Sequence, residues 1–137
     1  MNIHETLSKI QTELKAPKGQ FNKFGGYNYR SCEDILNALK PILKEDNCSI
    51  ILNDELIMIG DRFYVKATAE LGNGDERIST TAYAREELAK KGMDGSQITG
   101  SASSYARKYA LNGLFAIDDT KDADATNKYD DSEIKGS

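Results

Sequence analysis

Two runs of strictly alternating apolar and polar residues, separated by one glycine-rich turn, limit what this chain can fold into. In the first, Phe63, Val65, Ala67, Ala69 and Leu71 alternate with Tyr64, Lys66, Thr68 and Glu70. Gly72-Asn73-Gly74-Asp75 follows as a turn. In the second run, Ile78, Thr80, Ala82 and Ala84 alternate with Arg77, Ser79, Thr81, Tyr83 and Arg85. Successive side chains of a strand point to opposite faces, so period-two alternation reads as a half-buried strand. Two such strands predict an antiparallel sheet with one covered face and one polar face. The polar face would hold Tyr64, Lys66, Arg77, Tyr83 and Arg85. Upstream, Ile50–Leu52 and Leu56–Ile59 are short apolar runs split by Asn53-Asp54-Glu55, and Gly60-Asp61 reads as a two-residue hairpin turn.

Helical periodicity flanks this meander. Ile3, Leu7, Ile10 and Leu14 form one stripe, which should end before Pro17. Ser31 with Asp34 three residues on reads as an N-cap for a second helix through Ile35, Leu36, Leu39, Ile42 and Leu43. Pro41 predicts a kink or an early end there. After a charged connector, Glu86–Gly95, a long helix is expected from about Ser96 to Asn112, capped by Asp94 or Ser96 and terminated by Gly113. Within it, Ile98, Ala102, Tyr105 and Tyr109 form one stripe, expected to face the sheet. Leu114–Ile117 should return to the core. The predicted fold class is α+β: an antiparallel β-meander backed by a long helix, with two N-terminal helices.

A chain of 137 residues suggests one domain with its own core. With 39% apolar and 29% charged residues it has the balance of a globular protein. No apolar run approaches the roughly 18 residues of a membrane span, and the polar, acid-bearing N-terminus does not read as a secretory signal. Asp118–Ser137 carries seven acids and three lysines, which accounts for the whole net charge of −4. The other 117 residues hold fifteen charges of each sign. The expected organisation is a domain over residues 1–117 and an acidic disordered tail over 118–137.

Enzymatic chemistry finds little support. Cys32 and Cys48 are too few for a disulfide framework and read as reduced thiols. His4 is the single histidine, so neither a Cys/His zinc site nor a histidine-activated nucleophile can be assembled. Gly72-x-Gly74 lies in a hairpin turn beside an acid, unlike a phosphate-binding loop. Glu33-Asp34 and Glu86-Glu87 suit helix starts or solvated surface. The expectation is no catalytic residue, no metal and no cofactor.

Two segments have the chemistry of nucleic-acid contact. Lys15–Arg30 holds Lys15, Lys18, Lys23 and Arg30 interleaved with Phe21, Phe24, Tyr27 and Tyr29, and no acid occurs between Glu13 and Glu33. Single strands are held by cations along the backbone and by aromatic faces under the bases. The alternative is that the aromatics anchor a long loop, and the phenylalanines suit that role better than the tyrosines. In the long helix, Gly100–Ser104 is a run of small residues whose Gly and Ser are poorer helix formers than Ala or Leu, and which permits close backbone approach by the sheet or by a neighbouring subunit. Arg107 and Lys108 project away from the tyrosine stripe or onto its flank. They read equally well as ligands or as a solvated pair on a core helix.

Gly100-Ser101-Ala102-Ser103-Ser104-Tyr105-Ala106-Arg107-Lys108-Tyr109-Ala110-Leu111, followed by Leu114–Asp119, resembles the signature of the Erf family of phage single-strand annealing proteins. Lys23-Phe24-Gly25-Gly26-Tyr27-Asn28-Tyr29-Arg30 resembles that family's N-terminal motif. The resemblance covers about residues 3–119. It implies ATP-independent binding and annealing of single-stranded DNA in phage recombination, a β-β-β-α core, and DNA along a basic groove between sheet and helix. Carried onto this chain, the DNA-binding residues would be Lys18, Lys23, Tyr27, Tyr29, Arg30, Arg85, Lys90, Lys91, Arg107 and Lys108. The implied partners are single-stranded DNA, further copies of the chain in a ring or helical filament, and a phage exonuclease or host single-strand-binding protein. No membrane is involved, and the bacterial cytoplasm is the expected location. A passive single-strand coat protein and a metal-dependent nuclease are the competing readings.

Overall fold

The fold is organised around β4 (Arg62–Gly72), the centre of a three-stranded antiparallel sheet. Val65, Ala67, Ala69 and Leu71 are almost completely buried on one face. The computed structural model describes residues 1–88 and 92–118 of the chain. β5 (Arg77–Arg85) pairs along β4 with Lys66 opposite Tyr83 and Leu71 opposite Ile78, which brings Ile78, Thr80, Ala82 and Ala84 onto the same face. β3 (Ser49–Ile59) flanks the other side. The Gly60-Asp61 turn closes the β3–β4 hairpin, with Gly60 at the positive φ of 63° that a tight turn requires. The two short apolar runs expected at 50–52 and 56–59 are one strand. Asn53, Asp54 and Glu55 stay in register opposite Thr68, Ala67 and Lys66, and the acid that interrupts the pattern is satisfied from outside the sheet.

That partner is α3 (Gly95–Phe115), which lies across β4 and β5. Its N-cap is Asp94, in a reciprocal capping box with Gln97. Ala102, Ala106, Ala110, Leu111, Leu114 and Phe115 are buried. Alanines at 102, 106 and 110 recur every four residues and share one buried core with Ala67 and Ala69 of the sheet, small side chains that let the helix sit close to the strands. Tyrosine rings do not fit that gap. The expectation that Tyr105 and Tyr109 face the sheet therefore fails: they are 49% and 45% exposed, and Ile98 is only partly buried. Gly113 does not end the helix. It lies within it, where an added Cβ would come within 3.2 Å of Thr80 Cγ2, and the chain leaves the helix at Ala116 in the left-handed region.

Two further helices complete the core. α1 (Ile3–Glu13) has an Asn2–Glu5 capping box and buries Ile3 and Ile10, with Leu14 buried just beyond its end. α2 (Cys32–Glu45) has the Ser31–Asp34 box and buries Ile35, Leu39 and Leu43. Pro41 does not end α2, which continues to Glu45. Pro41 is exposed, so water can serve the carbonyl its missing N–H leaves unpaired. Between the helices, β1 (Gln20–Asn22) and β2 (Tyr27–Tyr29) form a small antiparallel hairpin. No helix among the described residues is long and apolar enough to cross a membrane. The expected acidic tail beyond Asp118, and Lys90 and Lys91, lie outside the described residues.

Candidate nucleic-acid interface

The β1–β2 turn shapes the basic aromatic loop. Asn22 Oδ1 accepts from the backbone N–H groups of Phe24 and Gly25, at 2.9 and 3.0 Å, and so draws the turn together. The Tyr27 ring lies over Gly25, where a Cβ would fall 2.1 Å from Tyr27 Cε1. Asn22 Nδ2 donates to the Tyr27 hydroxyl at 3.0 Å. Tyr27 and Tyr29 meet edge to face, with centroids 6.3 Å apart. The phenylalanines expected to anchor the loop are not buried. Phe21 and Phe24 are exposed, Phe24 fully, whereas Tyr27 and Tyr29 are half-buried. In a hairpin of three-residue strands only one face can rest on the body, and the tyrosines occupy it. Lys23 stands exposed beside Phe24 at the tip.

From this hairpin Tyr29 reaches α3. Lys108, only 8% exposed, places Nζ 5.5 Å from the centroid of the Tyr29 ring, within the range of a cation–π contact. Tyr29, Arg30, Cys32, Ser101, Ser104, Tyr105 and Lys108 line an open cleft of about 240 Å³ between β2, the start of α2, and α3. The two segments singled out in the sequence thus converge on one site. Burial pushes the Cys32 thiol up, while the nearby charges of Arg107 and Lys108 act in the opposite sense and Asp54 adds to the rise.

The cations expected to bind DNA differ in their environments. Arg30 Nε donates to Ala16 O at 2.9 Å, and its Nη1 donates to Asp118 O at 2.7 Å. Arg30 therefore braces the loop against the chain leaving α3 as well as lining the cleft. Arg107 Nε donates to Asp54 Oδ1 at 2.9 Å, and Ser103 Oγ donates to the other carboxylate oxygen. Partial burial pushes the Asp54 carboxyl up, but the hydrogen bonds from Arg107 and Ser103 and the Arg107 charge outweigh it, so its pKa lies below the ordinary value. Lys18 is half-buried and lines neither this cleft nor the next. Arg85 lies across α3, in a second open cleft of about 310 Å³ between β5 and the helix. Tyr105 and Ser101 line both clefts.

A family model of the ERF superfamily matches residues 3–136. The chain belongs to this family. It is 59% identical over 122 residues to the essential recombination function protein of Salmonella phage P22, an alignment covering 89% of this chain. The chain spans 58% of that relative's length. No solved structure matches it. Three residues of this ERF-superfamily chain that shape the site had not been singled out for it. Asp54 was invisible because its partners are 49 and 53 residues away. Helical spacing places Tyr105 and Tyr109 on the expected core stripe, yet both are exposed. The alanines at 102, 106 and 110 were the better signal for the buried stripe.

Proposed function

We propose that the chain binds single-stranded DNA and anneals complementary strands without ATP, as a homo-oligomer acting in phage recombination. The observation that carries the reading is the convergence of Tyr29, Arg30, Tyr105 and Lys108 on one open cleft. Aromatic faces and cations together suit an unpaired strand, whose bases have free faces and whose backbone carries one negative charge per nucleotide. Family membership and the printed name of the phage relative favour recombination as the setting.

The chemistry asked of the protein is modest. Duplex stacking contributes about 1.4 kcal/mol per base-pair step, so pairing itself drives annealing. The protein has to hold strands extended with base edges free and bring two of them together.

The β3–β4 hairpin favours self-association. Its tip extends past the cover of α3 and exposes Leu56, Met58, Ile59 and Phe63. β3 is also a long edge strand, paired only with β4 among the described residues. Exposed apolar patches and unpaired edges are sites of association. A contact between two different surfaces of neighbouring copies generates a ring if it closes and a filament if it does not. Particle mass measured with and without single-stranded DNA tests this: assemblies of many copies are expected, and a strict monomer under both conditions refutes the oligomeric mechanism.

A further inference from the structure

The chain leaves α3 at a fixed point beside the Lys108 cleft. The backbone N–H groups of Ala116 and Ile117 both donate to Asn112 O, the latter at 2.9 Å, and Arg30 Nη1 donates to Asp118 O at 2.7 Å. Arg30 is itself tied to Ala16 O and forms part of the cleft wall. Among the described residues that line this cleft, only Arg30 and Lys108 are charged, so its charge is of one sign. The sequence that follows the exit point has the opposite sign. Asp118, Asp119, Asp122 and Asp124 stand within seven residues with Lys121 alone among them, a net charge of −3. Residues 1–117 are balanced at fifteen charges of each sign, so the acidic excess begins where the chain is pinned to the cationic cleft.

We infer that residues 119–124 dock in the Lys108 cleft when no DNA is bound and compete with the strand for Arg30 and Lys108. Carboxylates accept charge-assisted hydrogen bonds from guanidinium and ammonium groups as phosphate oxygens do. Six residues reach at most about 20 Å from Asp118, and Arg30, which holds Asp118, already belongs to the cleft. A segment on so short a tether has an effective concentration on the order of 1 mM. A docking constant of about 0.1–1 mM then lowers strand affinity about two- to tenfold. The segment is a built-in competitor that a bound strand must displace. The competition rests on the single-strand reading above, whereas the docking itself does not require DNA.

The test begins without DNA. Tyr105, which lines the cleft and is 49% exposed, is replaced in the full chain by the photo-cross-linker p-benzoylphenylalanine, and mass spectrometry identifies what it captures on irradiation. Capture of residues 119–124 is expected, and raised salt or added oligothymidylate should suppress it. Oligothymidylate binding is then measured by fluorescence anisotropy for the wild type and two charge-matched variants of the full chain. Asp119→Asn/Asp122→Asn/Asp124→Asn should bind about two- to tenfold more tightly. Asp130→Asn/Asp131→Asn/Glu133→Gln removes the same charge farther from the exit point and should stay within about twofold of the wild type. An equal gain from both variants overturns the inference, because the charge would then act at long range and not by docking. Failure to capture the segment also overturns it, and oligothymidylate binding that persists leaves the single-strand reading intact. Capture of the segment by a protein that binds no oligothymidylate upholds the docking and refutes the single-strand reading.

Discussion

Lys108→Met separates a phosphate ligand from a residue that only positions Tyr29. Lys108 is nearly buried, and its ammonium faces the Tyr29 ring at 5.5 Å. Methionine preserves most of the stem and removes the charge. The lost cation–π contact costs about 0.5–2 kcal/mol, but the variant no longer buries an ammonium, which acts in the opposite direction. The melting temperature should therefore change little. Binding should change more. One lost phosphate contact lowers the salt slope of single-strand binding by about 0.7. Over a fourfold rise in salt, the variant should lose about 2.6-fold less affinity than the wild type does. Anisotropy titrations at a series of salt concentrations read this directly. Weaker binding with an unaltered slope would show that Lys108 shapes the cleft and does not meet phosphate. Unaltered affinity and slope would remove the cleft from the interface.

Two further variants probe the frame around the site. Asp54→Asn keeps hydrogen-bonding capacity toward Arg107 and Ser103 but removes the charge. Single-strand affinity and salt slope should both rise, as Arg107 becomes available to phosphate; a fall in affinity would instead make Asp54 a positioning residue. The carboxyl's pKa is depressed in the fold, so its contribution to stability is present above the ordinary value of about 3.9 and is lost as pH falls through the folded value. The pair is partly exposed, which limits that contribution to at most about 1 kcal/mol. Asp54→Asn should correspondingly flatten the acid limb of a stability–pH curve measured below about pH 4. Ala106→Leu overfills the contact between α3 and the sheet, where Ala106 is completely buried. It should destabilise by about 1–3 kcal/mol, read as a lowered melting temperature, and an unchanged melting temperature would contradict the close helix–sheet approach.

What was legible in the sequence was what local periodicity records. The alternation along 62–71 and 77–85 marks β4 and β5 because each side chain's face follows from its own position. The Ser31–Asp34 cap was legible because both partners lie within four residues. In the sequence β3 shows as two runs because Asp54 breaks the apolar pattern, and the groups that satisfy it lie on α3. Lys108 faces inward against its polarity because a distant ring, Tyr29, receives it. The tyrosines of α3 face outward because the alanines at 102, 106 and 110 take the buried side of that stretch of the helix. The cleft joins residues 29–32 to residues 101–108, and only the fold brings those segments together.

The central claim is that this chain brings complementary single strands together, and the rate of duplex formation tests it most directly. Two complementary oligonucleotides carrying a donor and an acceptor dye are mixed with and without the protein, in the absence of any nucleoside triphosphate. The account predicts that the protein accelerates the rise in energy transfer and that both strands stay at full length. Slower pairing in the presence of the protein would contradict the account and favour a passive coat, and shortened strands in magnesium would contradict it in favour of a nuclease.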